Sequence, residues 1–173
     1  MSENVHYHSW PIDRDFTFKE WCDYLHDRDQ RGESASEVVA EFGGWKFNVH
    51  GVCLNRRCVL QKFIGRTGGQ FAVKVYQAPK GHILGAPLAW YFDAYYSDGT
   101  SGGSAGWGEV GGNEDDAVAA GLEKVIEKFE RSIKWYQSGG KDEERYPGRV
   151  QICKAGIKLA RDEIVNRSQL TLF

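Results

Sequence analysis

The chain has 173 residues, 41% of them hydrophobic and 13% aromatic, with a formal net charge of −2. That is enough apolar material for a folded core and too much for whole-chain disorder. No apolar run approaches the roughly 18 residues that a membrane-spanning helix needs. The opening MSENVHYHSW has neither a basic nor an apolar signal region, so a cytoplasmic protein without a membrane partner is expected.

Thr17-Phe18-Lys19-Glu20 has capping-box form, and Phe18, Trp21, Cys22 and Leu25 follow at helical spacing, which predicts a helix over 17–29. Ser34-Ala35-Ser36-Glu37 repeats the signal, and Gly43-Gly44 ends a short second helix near Phe42. Trp45, Phe47 and Val49 alternate with polar residues as a half-buried strand does. Strands follow over 58–64 and 70–77, joined by a turn at Gly68-Gly69. In the second, Phe71, Val73 and Val75 face one way and Ala72, Lys74 and Tyr76 the other. Residues 88–96 (LAWYFDAYY) carry large side chains on both faces, the mark of a central strand.

Residues 99–112 contain seven glycines and read as a flexible hairpin or mobile loop. Asn113 then caps a long helix over 114–136. Ser138 to Pro147 is a polar linker. A last helix over about 148–166 has Val150, Cys153, Ile157, Leu159, Ala160 and Ile164 on its apolar side. The expected fold is α+β: an antiparallel sheet of four to five strands over about 45–110, with N-terminal helices and two C-terminal helices. The expected division is an α+β domain over 1–137, a linker over 138–147, a helix over 148–167 and a short binding tail over 168–173.

Charge is segregated along the chain. Residues 1–41 hold ten acids and four bases, whereas residues 42–92 hold seven bases and no acid. Either acidic helices neutralise a basic sheet internally, or Lys46, Arg56, Arg57, Lys62, Arg66 and Lys74, with Tyr76 nearby, track a phosphate backbone. A sequence pI of about 6.2 favours the first, because duplex-binding domains are usually basic overall.

Sites for chemistry are sparse. Cys53-x4-Cys58 and the pair Cys22 and His26 offer ligands for a tetrahedral zinc, but neither has C-x2-C spacing, and free thiols are the simpler expectation. His6 and His8 are a weaker pair still. Asp23 and Asp27, one helical turn apart among Asp13, Asp15, Glu20 and Asp29, are the carboxylates that a metal-dependent enzyme would use; a solvated helix face is the simpler reading of them. Three carboxylates, Glu114, Asp115 and Asp116, follow the glycine-rich stretch and repel phosphate from that helix start. No catalytic residue, cofactor or resident metal is assigned, and an enzyme is not the default reading. The order of strands and helix over 70–136 resembles that of double-stranded-RNA-binding domains and of some small antitoxin folds. Double-stranded-RNA-binding domains grip phosphate with lysines where these three acids stand, so no function is carried over.

Gln169-Leu170-Thr171-Leu172-Phe173 resembles the bacterial sliding-clamp-binding motif, usually Gln-Leu-Ser/Asp-Leu-Phe, with Thr171 keeping a small hydroxyl residue. Physically, Leu172 and Phe173 can fill a hydrophobic pocket, Leu170 adds a smaller contact, and Gln169 hydrogen-bonds the rim. The resemblance implies a bacterial, phage or plasmid protein whose partner is the β sliding clamp of DNA polymerase III. It would act in replication or repair, or modulate them, and the basic sheet would add a weak DNA contact. A nucleic-acid-binding module using the basic sheet over 42–92 and a metal-dependent enzyme are the alternatives.

Overall fold

A computed structural model of the chain describes residues 20, 23, 24, 26, 27, 30, 31, 40–48, 51–66, 68–83, 86–139 and 147–170. His6, His8, Asp13, Asp15, Cys22, Asp29, the second capping signal at 34–37, most of the expected linker, and Thr171, Leu172 and Phe173 lie outside them. The fold is mixed α+β, with two antiparallel sheets and a C-terminal helix pair. The chain divides into two compact units, residues 1–57 with 76–90 and residues 58–75 with 91–173.

In the first unit, the described residues between Glu20 and Gln30 are helical, as the capping signal predicts. Gly43-Gly44 does not end a helix. It closes a hairpin between β1 (Ala40–Phe42) and β2 (Trp45–Phe47), with Phe42 opposite Trp45 and Ala40 opposite Phe47. Gly43 at φ 55° and Gly44 at φ 84° both take positive φ, as a two-residue type I′ turn requires and side-chain-bearing residues resist. β2 therefore belongs to a separate two-stranded sheet, a correction to its expected place in the main one. Asn55 ties the hairpin, donating to the Gly44 carbonyl at 2.9 Å and accepting from the Lys46 N–H at 2.8 Å. Phe47 is buried, its ring 5.6 Å from Phe42 and 6.0 Å from Tyr76.

The larger sheet runs in the order β3 (Arg57–Ile64), β4 (Gly69–Pro79), β5 (Leu88–Asp98), β6 (Gly102–Val110). β5 is internal, as its two-faced aromatic pattern predicts. Of the two readings of the glycine-rich stretch, the mobile loop is corrected: β5 and β6 form a hairpin, and most of the stretch is a nine-residue edge strand. Its glycines serve close packing. A Cβ on Gly106 would lie 3.4 Å from the Lys124 side chain, and one on Gly108 3.3 Å from the Phe92 ring.

Two helices form the second unit's other layer. In α1 (Glu114–Gly139), Val118, Leu122, Val125 and Phe129 are fully buried. Phe129 meets Phe71 and Tyr96 edge-on, at 6.5 and 5.6 Å between ring centroids. The start of α1 is capped reciprocally: the Asp116 N–H donates to Asn113 Oδ1 at 3.0 Å, and the Asn113 N–H to Asp116 Oδ2 at 2.9 Å. This is the capping-box arrangement with Asp in place of Glu. α1 runs three residues past the expected Tyr136, so Ser138 and Gly139 are helical rather than linker.

α2 (Arg149–Leu170) also outruns its expected end, carrying Gln169 and Leu170 into its last turn. Its buried side is Val150, Ile152, Cys153, Ile157 and Ala160, while Leu159, expected inside, is exposed. Gly156 brings the helices together, since a Cβ there would sit 2.6 Å from the Phe129 ring. The pair is antiparallel: Arg167 near the end of α2 bonds Asp115 at the start of α1.

Candidate functional site

The last turns of α2 are held by alternating charges. Arg167 Nη1 donates to Asp115 Oδ1 at 3.0 Å, Arg167 Nε lies 3.4 Å from Glu163 Oε1, and Glu163 Oε2 lies 3.2 Å from Lys62 Nζ. Beyond Arg167, Ser168 and Gln169 are exposed, and the Ser168 hydroxyl donates to the Val165 carbonyl of its own helix at 2.8 Å. Gln169 and Leu170, the first two residues of the clamp-like motif, thus occupy a helix end that water can fray.

The seven residues considered for nucleic acid are divided between the two units. Lys46 and Arg57 are exposed, Arg56 is half-buried and Tyr76 is buried at 7% exposure, all in the first unit. With its ring edge-on to Phe47, Tyr76 is a core residue rather than a stacking surface. In the second unit, Lys62 lies on the same strand face as buried Leu60 and Ile64, toward the helices, and its ammonium is paired with Glu163. Arg66 is exposed in the β3–β4 turn. Lys74 alternates with fully buried Phe71, Val73 and Val75, so it lies on the opposite face from the helices.

That face holds a cavity of about 540 Å³ whose lining includes Gln61, Gln70, Ala72, Lys74, Asp93 and Tyr95. Gln61 Nε2 and Gln70 Oε1 are 3.4 Å apart. Phe63 is 67% exposed, Tyr95 40% and Trp107 64%. Sequence reasoning missed these three rings. The one available signal was the alternation in β3, which sets Phe63 opposite Leu60 and Ile64.

The most perturbed titratable pair is Asp98 and Tyr136, both buried. Asp98 Oδ1 accepts from the Thr100 and Ser101 N–H groups at 2.9 and 2.7 Å, and Oδ2 from the Ser101 and Tyr136 hydroxyls at 3.0 and 2.7 Å. Burial pushes the Asp98 carboxyl up, but these donors outweigh it and hold the group below the usual aspartate range. Burial, then the bond to Asp98, raises the Tyr136 phenol. Arg149 Nη1 donates to the Asp98 carbonyl at 2.7 Å. Each carboxylate oxygen is used twice by the protein's own donors, so the pair is a structural joint between the β5–β6 turn and the two helices.

The remaining candidates are dispersed. Asp23 and Asp27 are exposed helical residues, and no cluster of three or more His, Cys, Asp or Glu able to hold a metal occurs among the described residues. Cys53 is buried, which pushes its thiol up, while Cys58 is exposed and Cys153 buried; all three are free thiols. At the start of α1, the capping by Asn113 and Asp116 occupies N–H groups that an anion would need.

No family model matches the chain, and neither the curated proteins nor the solved structures contain a match to it.

Proposed function

We propose that the protein is an adaptor that binds the bacterial DNA sliding clamp through Gln169, Leu170, Thr171, Leu172 and Phe173, in DNA replication or repair or as a phage or plasmid modulator of them. The observation that carries the reading is the five-residue match itself. The position of its first residue supports it: Gln169 is exposed, two residues beyond the Arg167–Asp115 ion pair. A short contact of this kind has few anchoring side chains, so its affinity should be about micromolar, near −8 kcal/mol.

The test is calorimetric titration of purified β clamp with the full chain, with a chain ending at Ser168, and with Leu172→Ala and Phe173→Ala. Micromolar binding that disappears on truncation and falls at least tenfold in each variant, about 1.4 kcal/mol, is expected. No binding by the full chain, or binding that survives truncation, would overturn the reading.

A further inference from the structure

We infer that the exposed part of the sheet face opposite the helices, which excludes buried Tyr76 and Tyr91, is a platform for single-stranded nucleic acid, on which Phe63, Tyr95 and Trp107 stack bases and Lys74 takes a phosphate. This rests on strand faces and exposures, and it stands or falls independently of the clamp reading. Leu60 and Ile64 of β3, Phe71, Val73 and Val75 of β4, and Phe92 and Ala94 of β5 are all buried. Side chains alternate along a strand, so Phe63, Lys74 and Tyr95 share the other face; Lys74 and Tyr95 do meet in one cavity wall. Trp107 joins them by the same rule. It is two residues from Glu109, whose carboxylate accepts from the hydroxyl of Tyr91 at 2.6 Å, and Tyr91 is in register with Tyr95.

Large exposed rings on three of four strands are an unusual surface for a protein to show water, and such surfaces mark binding. The polar groups between the rings narrow the ligand. The Gln61 and Gln70 carboxamides are joined only at 3.4 Å, long for a hydrogen bond, so their donors and acceptors can turn to a base edge. Ala72 is among the residues lining a cavity of about 540 Å³, which is of small-ligand size. Charge then favours a phosphate-bearing ligand over a neutral one: the described parts of β3 and β4 lie within the acid-free stretch 42–92, and Arg66 is exposed at the turn between them. Asp93, which lines the same cavity as Lys74, and Glu109 place negative charge on β5 and β6, so the phosphates belong toward β3 and β4. Aromatic stacking with a few cations is how single strands are held without sequence preference, and four-stranded sheets with exposed rings serve the same purpose for RNA.

The test is fluorescence anisotropy of a labelled oligo-dT of about 20 nucleotides titrated with the full chain, beside a duplex of equal length. Binding of the single strand should weaken as salt rises from about 50 to 200 mM. Phe63→Ala and Tyr95→Ala should each weaken it about tenfold, and Lys74→Ala should lower the salt slope by about 0.7. Circular dichroism identifies any variant that fails to fold, and Phe63→Tyr should retain binding. No binding at low salt, equal binding of duplex, or affinity unchanged in both aromatic variants would overturn the proposal.

Discussion

The Tyr136 hydroxyl donates to Asp98 Oδ2 at 2.7 Å, joining the second half of α1 to the turn between β5 and β6. Neither group reaches solvent, so the phenol has no water to exchange for the carboxylate. Tyr136→Phe keeps the ring and removes only the donor. A bond to a buried charge contributes about 1.5–3 kcal/mol, and Asp98 keeps its three other donors. The expected loss is therefore near the lower end, about 1.5 kcal/mol, read as a lower urea midpoint at unchanged m-value.

The same carboxylate gives stability a definite acid dependence. Asp98 is held below its ordinary pKa in the fold, whereas in the unfolded chain it returns to about 3.9. Between those values the unfolded state binds the extra proton, so the contribution is complete above about pH 4 and is lost as pH falls through the native value. On the alkaline side Tyr136, raised in the fold, adds a loss that begins above about pH 10, where the unfolded phenol ionises. Asp98→Asn should lower stability at neutral pH and flatten the acid limb; urea midpoints at intervals between about pH 2 and 7 check it.

Gly156→Ala sets two effects against each other. Alanine is favoured over glycine in a helix by about 1 kcal/mol. Here, however, the new methyl would meet Phe129 Cε2 at 2.6 Å, Phe129 Cζ at 2.9 Å and Ile64 Cδ1 at 2.9 Å. Overpacking of this kind costs about 1–3 kcal/mol, and two elements would have to give way together. The substitution should destabilise the protein by about 1 kcal/mol net, measured by thermal or urea unfolding.

Asn113→Ala removes one half of the reciprocal cap on α1 and frees the Asp116 N–H. A loss of about 1 kcal/mol is expected. Asn113→Asp should restore most of it, because Asp caps as well as Asn does. Asn113→Gly should lie between Asn113→Ala and the parent, and the order of the three melting temperatures is the check.

The fold was legible where one period or one cap dominated. Phe71, Val73 and Val75 alternate cleanly and are buried as read, and Val118, Leu122, Val125 and Phe129 repeat at helical spacing against them. Gly43-Gly44 misled because the same pair that stops a helix also makes a type I′ turn, and only the partner strand decides between them. The glycine-rich stretch looked loose because glycine disfavours strands; packing against Lys124 and Phe92 supplies the reason that composition lacks. In the candidate sites, the clamp-like motif was legible as five adjacent letters. Lys62 and Lys74 were equivalent in sequence, yet strand alternation turns one toward Glu163 and the other into the open face. The rings of Phe63, Tyr95 and Trp107 come from three separate strands, so no local window contains them.

The turn at Asp98 has one consequence for timescale. Ser97 to Gly103 is a polar, glycine-bearing stretch of a type in which backbone amides usually exchange with solvent almost freely. Here the Thr100 and Ser101 amides end on a buried carboxylate, and Arg149 closes the carbonyl side. Deuterium should enter these two amides only when α1 and α2 open as well, at the rate of the core rather than of a surface loop.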